Sequence, residues 1–201
     1  KCNSKGKRID GVYYSNDGAV NNLTRLTYGR GSGSGCQETY SANVVVKKDP
    51  VTGAVTEKMT DGGGLIGALA INPHNKPHLL AGTYFVPGGY HTWKSGSKAL
   101  LSSLDGGKTW EAYSDGLTYN GTTEMVREIK FHPQIAGLVY LTTESGGRFY
   151  WRNYLNKQMT SWQLGTGLLG NWLRGILFFP QTNAPSKVAV YGHRGILVSE
   201  N

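Results

Sequence analysis

Ser103-Leu104-Asp105-Gly106-Gly107-Lys108-Thr109-Trp110 decides how the rest of the 201-residue chain is read. Small and apolar residues lead into it from Ala99, and the polar run from Glu111 to Gly116 follows it. A strand that enters a tight turn and returns gives this pattern. Asp105 can accept hydrogen bonds from backbone N–H groups of the turn, and Gly106 and Gly107 permit positive φ. The Ser103 and Thr109 hydroxyls can close the loop, and the Trp110 ring can pack beneath it. On this chemistry Asp105 is a turn-maker and not an acid catalyst.

Working outward, the chain repeats itself. LIGALAINP (Leu65 to Pro73), VREIKFHP (Val126 to Pro133) and LRGILFFP (Leu173 to Pro180) are apolar or alternating runs that stop at a proline. Their starts lie 61 and 47 residues apart, roughly the length of a four-stranded blade. A short polar turn follows each, then second strands at 78–83, 138–143 and 187–192. Third strands are expected at 99–103, 148–152 and 195–199, and short fourth strands at 109–112 and 161–164. The second unit keeps a tryptophan, Trp162, but its turn from Asn153 to Thr160 has lost the other marks of the first. Tyr13-Tyr14 leading to Asn16-Asp17-Gly18 reads as a degenerate copy, with a strand at 23–27 after it. Gly29 to Gly35 is a Gly/Ser-rich loop. Strands are expected at 42–47 and 54–59 around the turn Asp49 to Gly53.

Ser103, Asp105, Gly107, Thr109 and Trp110 fit S-x-D-x-G-x-T-W. The stretch resembles the Asp-box (BNR) repeat of sialidase-like, xyloglucanase-like and sortilin-like β-propellers. The resemblance implies an all-β chain of four-stranded antiparallel blades: about four of them, or an incomplete part of a larger propeller. Residues 1–201 are then a single propeller domain or fragment. It would comprise a half blade at 7–28, a strand pair at 40–60, and blades at 62–117, 124–168 and 171–201. The chain starts and stops within a unit, so missing blades could come from further sequence, other chains or other copies. In that family the Asp-box is structural and lies on the outer rim, away from ligand.

Composition agrees with many short strands and tight turns: 29 glycines, 12 tyrosines, 5 tryptophans and 17% charged residues. No apolar run approaches the ~20 residues that span a bilayer, so no transmembrane segment is expected. The net charge of +8 suits an acidic partner. Basic residues are scattered and no nucleic-acid motif occurs, so a glycan or anionic polysaccharide is preferred over nucleic acid. Cys2 and Cys36 could pair to close a loop of about 35 residues, which fits an extracellular or cell-surface chain. The five histidines show no metal-binding spacing, so neither metal nor cofactor is expected.

In propellers of this kind the ligand face is built by loops entering the innermost strands and loops joining second to third strands. Those loops hold Tyr84, Tyr90, His91, Trp93, Tyr119, Trp172 and Arg194, with Arg127 and Arg174 at corresponding positions of two inner strands. Aromatic rings with nearby polar donors suit sugars; they equally suit the gaps between blades. Glycoside hydrolysis needs two carboxylates across the scissile bond. Glu124, Glu144 and Asp61 are the candidates, and no spacing pairs them. The segment from Gly62 to Pro73 also resembles blade starts of xyloglucan-degrading hydrolases, but no acid stands where the second strand ends at Thr83-Tyr84. The expected function is a recognition or scaffold module. The alternatives are a glycoside hydrolase with part of its site elsewhere, and a structural subunit of an assembly.

Overall fold

The computed structural model describes residues 13–14, 24–25, 45–48, 52, 54–59, 65–85, 100–119, 122–143, 147–165, 173–181, 184–193 and 195–199. Every regular element among them is a strand. Hairpin β1 (Tyr13–Tyr14)/β2 (Thr24–Arg25) is followed by hairpin β3 (Val45–Lys48)/β4 (Val55–Met59). The first large unit is β5 (Leu65–Ile71), β6 (Leu79–Phe85), β7 (Leu100–Ser103) and β8 (Trp110–Ala112). After the small hairpin β9 (Thr118–Tyr119)/β10 (Thr122–Thr123) comes the second: β11 (Val126–Phe131), β12 (Leu138–Thr143), β13 (Phe149–Asn153) and β14 (Gln163–Leu164). The third is β15 (Leu173–Phe179), β16 (Lys187–Gly192) and β17 (Gly195–Val198).

Each unit is an up-and-down antiparallel sheet, with strands adjacent in space as in sequence. The second sheet has the four strands expected of a blade, and the third shows three. The first departs from expectation. Its outer strand β8 pairs in parallel with β3, Val45 opposite Trp110 and Val46 opposite Glu111, so the sheet has six strands in the order β4-β3-β8-β7-β6-β5. The strand pair at 40–60 is thus an extension of this sheet's edge. An edge strand offers unpaired N–H and C=O groups, and a hairpin that reaches it satisfies them. The segment at 118–123, read from sequence as a loop, forms β9/β10.

The three sheets stack face to face in chain order, a propeller-like arrangement, and no closed ring is seen among the described residues. Alternation along the strands puts apolar residues on both faces of the middle sheet. Leu80, Leu100 and Ala68 of the first sheet meet Ile129, Phe131, Val139 and Leu141 of the second in one buried cluster. Ile176, Phe178, Val188 and Val190 of the third meet Tyr140 and Phe149 of the second. Burial of each large side chain contributes about 1.5–3 kcal/mol. The first two sheets approach closely at Gly82: a Cβ there would stand 2.6 Å from Val126 Cγ1, so only glycine fits without a shift.

The second and third sheets are also joined by polar groups. The Glu128 carboxylate accepts from Ile176 N at 2.5 Å, and Lys130 Nζ donates to Ile176 O at 2.6 Å. Both side chains leave β11 on the face toward β15, and together they bond the N–H and the C=O of one residue, Ile176. At the far end of the strands, His132 Nδ1 accepts from Gln134 N and Ile135 N, so Nε2 carries the proton and donates to Ser186 O at 3.2 Å.

The turn from Ser103 to Trp110 closes through the side chains that its sequence points to. Thr109 N and Thr109 Oγ1 donate to the two Asp105 oxygens at 2.9 and 2.6 Å. Ser103 Oγ donates to Asp105 at 2.8 Å and accepts from Gly107 N at 2.7 Å. Gly106 and Gly107 have φ of 72° and 89°. Trp110 is buried, and its Nε1–H donates to Gly107 O at 3.0 Å. Partial burial works to raise the Asp105 pKa; the hydrogen bonds from Thr109, Ser103 and the Lys108 backbone outweigh it and hold the carboxyl below its usual value.

Candidate functional site

Two ends of the stack can be told apart. The turn at Ser103–Trp110 sits at the end where the inner strands finish: Gly106 N donates to Pro77 O in the turn between β5 and β6. The opposite end gathers the starts of β5, β11 and β15 with the ends of β6, β12 and β16, since Leu65 pairs with Phe85, Val126 with Thr143 and Leu173 with Gly192. Expected ligand-face residues that are described fall at this end.

Its best-formed constellation surrounds Glu124. The residue stands two positions before β11, and its backbone N–H donates to Leu117 O at 3.2 Å. The side chain is fully buried. Tyr150 OH donates to Glu124 Oε1 at 2.9 Å, and Arg148 Nε stands 3.6 Å from the same oxygen. Glu124 Oε2 is buried without a hydrogen-bond partner. Burial and the adjacent Glu124 charge push the Tyr150 phenol well above its usual pKa, so it stays protonated and donating. Arg148 is positioned by its own backbone: Arg148 N donates to Thr143 Oγ1 at 3.2 Å, and Thr143 N to Arg148 O at 2.9 Å. A buried carboxylate is costly unless paired, and here one cation and one phenol share a single oxygen.

On the third sheet Arg174 is exposed at the second position of β15, with a nitrogen 2.7 Å from His193 Nε2 just past β16. Arginine has no acceptor, so Arg174 Nη2 donates and His193 Nε2 accepts, which makes the imidazole neutral with its proton on Nδ1. Arg127 holds the equivalent position of β11 and is half-buried. Tyr84 lies in β6 and Tyr119 in β9, both at this end. Tyr90, His91, Trp93, Trp172, Arg194, Glu144, Asp61, Cys2 and Cys36 lie outside the described residues, as do the Gly29 to Gly35 loop and the degenerate box at Asn16-Asp17.

Tyr150 is the partner that sequence reasoning missed. It stands within the regular alternation of a third strand, and nothing in that pattern marks a hydroxyl that reaches across to the entry of β11. No group of three or more His, Cys, Asp or Glu side chains suited to a metal ion occurs among the described residues. No helix there is long and apolar enough to cross a membrane.

No protein-family model matches the chain, and no curated protein matches it. Among solved structures it is similar to a GH74 xyloglucanase from Xanthomonas campestris, at 11% identity and a TM-score of 0.31. The match covers 73% of this chain and 25% of that enzyme, so the chain corresponds to about a quarter of the enzyme's length.

Proposed function

We propose that the chain is a secreted or surface-exposed recognition module that binds an anionic glycan at the end of the stack opposite the Asp-box. The observation that carries this reading is Arg174, an exposed cation held by His193, with Arg127 at the equivalent position of the neighbouring inner strand. Guanidinium groups bind carboxylate or sulfate in a forked geometry, and a net charge of +8 favours approach of a polyanion. Tyr84 and Tyr119 stand on strands that finish or start at the same end, and tyrosine is a residue type suited to sugars.

The test is a titration of the purified chain with polygalacturonate and, in parallel, with neutral dextran. Binding to the polyanion should weaken as salt rises, and Arg174→Ala should lower affinity about tenfold, the loss expected for one charge-assisted contact. Equal affinity for dextran, or no effect of Arg174→Ala, would sink the reading.

A second reading, hydrolysis of a glycan, is favoured by the buried Glu124 with its unshared Oε2 close to that end. Glu144 and Asp61 are the other carboxylates it would draw on. Release of reducing ends from a polysaccharide, abolished by Glu124→Gln in a chain that still folds, would establish it in place of simple recognition.

A further inference from the structure

The turns at the Ser103–Trp110 end of the stack form one connected set. Gly106 N donates to Pro77 O at 2.9 Å, which ties the turn after β7 to the turn after β5. The turn after β5 reaches the middle sheet in two places. His74 Nε2 donates to His132 O at 3.1 Å, and the Asn72 amide donates to Tyr154 OH. Tyr154 N donates to Gly137 O at 2.9 Å, joining the turns after β13 and β11. Ser186, just before β16, donates to Gln134 Oε1 from both N and Oγ.

Two kinds of side chain stand out from these turns. Lys76, Lys108 and Lys157 are exposed, one on each of three turns, and Lys187 is half-buried at the first position of β16. Among the described residues of these turns the one acid is Asp105, and Ser103 and Thr109 engage its oxygens. This end therefore carries a surplus of positive charge. Apolar residues stand among the lysines. Leu104 is 59% exposed and Leu155 60%, on equivalent turns of adjacent sheets, and Ile135 is exposed on the turn after β11. Leu155 Cγ lies 2.9 Å from where a Cβ on Gly137 would stand, so it belongs beside the Ile135 turn. None of the three joins a core cluster. Neither leucine closes its turn, since those hydrogen bonds come from Ser103, Asp105 and Thr109 in one and from Asn153 and Asn156 in the other.

We propose that this end docks on the surface of a bilayer that contains anionic lipid. The lysines meet the headgroup charges, and Leu104, Leu155 and Ile135 enter the boundary between headgroups and acyl chains. Charge alone would suit any polyanion. The exposed aliphatic tips select a lipid surface, because a hydrated polysaccharide offers them no apolar layer to enter. The contact uses turn tips, not sheet faces or strand edges, so it is the same however many sheets the stack has. It is independent of the proposed glycan site, which lies at the opposite end and is left turned away from the bilayer.

Co-sedimentation with vesicles tests it, using pure phosphatidylcholine and a two-to-one mixture of phosphatidylcholine with phosphatidylserine. The chain should pellet with the mixture and not with phosphatidylcholine alone, and should be released as salt rises. Lys76→Gln, Lys108→Gln and Lys157→Gln together should weaken binding about a hundredfold, from about fivefold for each lysine. Leu104→Ser with Leu155→Ser leaves the charge unchanged and should weaken binding about tenfold. Both variants should keep the wild-type circular dichroism, since every substituted side chain is exposed. Ile135→Ser replaces either leucine substitution if the pair fails to fold. No binding to the mixed vesicles overturns the proposal. Binding that the leucine variant retains in full also overturns it, because the attraction is then that of a basic chain for any polyanion.

Discussion

The turn at 103–110 and the turn at 153–162 hold the same place in successive sheets and are closed by different means. In the first, one carboxylate and one hydroxyl satisfy the backbone within eight residues, and Trp110 donates to Gly107 of the same turn. In the second, two amides do less. Asn153 Oδ1 accepts from Leu155 N at 3.1 Å, and Asn156 Oδ1 from Gln158 N at 3.0 Å. Trp162 then looks outside its turn: its Nε1–H donates to Tyr113 O of the first unit at 2.8 Å, and its backbone N–H to Asp115 O. Tyr154 crosses the same boundary, stacking edge-on to His78 at 4.8 Å and accepting a hydrogen bond from Asn72 Nδ2. A turn closed by its own residues leaves its aromatic ring to its own sheet. A turn with weaker local closure has its aromatic residues tied to the neighbouring sheet.

The largest effect that could break this comparison comes from the tryptophans. Trp110→Ala and Trp162→Ala should each cost about 3–5 kcal/mol in denaturant unfolding, since both rings are buried. Only Trp162→Ala should also speed hydrogen exchange at Leu117 and Val126, which lie in the same cluster between the sheets. Equal exchange in both variants would erase the distinction.

Next in size is the acid response of the boundary that Tyr154 crosses. Burial lowers the His78 pKa from 6.5 to about 4. Between those values the unfolded chain takes up a proton that the folded chain refuses, so stability is retained above pH 6.5 and falls progressively toward pH 4. His78→Gln, which keeps a polar neutral group, should flatten that slope in unfolding curves recorded between pH 7 and 4. An unchanged slope would assign the acid response elsewhere.

Asp105→Ala should cost about 1–2 kcal/mol, since it removes a charged acceptor from Thr109 N, Thr109 Oγ1 and the buried Ser103 Oγ. Asn156→Ala, which removes one exposed contact, should cost about 0.5–1 kcal/mol. Comparable losses would mean that the carboxylate gives no advantage over an amide.

The smallest effect is in the pH dependence of the first turn. The Asp105 pKa is depressed, so its stabilisation is present above the unfolded value and is lost as pH falls through the folded one. The gap in melting temperature between the wild type and Asp105→Asn should close below the usual carboxylate range. A gap that persists there would mean that charge plays no part.

The same contrast explains what could be read without coordinates. The strands ending at Pro73, Pro133 and Pro180 and the hairpin turn at Ser103–Trp110 are legible because alternation, proline and turn chemistry act over a few residues. Of the site, the equivalence of Arg127 and Arg174 was legible from the repeat. Three further features were not. Tyr150 reaches Glu124 across 26 residues, Arg174 is held by His193, and β3 joins β8 in parallel.

The sequence by itself determined the strand phase and the chemistry of the turn at Ser103–Trp110, because the Ser103, Asp105 and Thr109 side chains there find their partners within the turn. Only the tertiary structure decided which outer edge takes the extra hairpin and which carboxylate is buried. Those outcomes depend on which surfaces meet, and a buried polar group or an uncovered strand edge takes its partner from whatever the fold brings near.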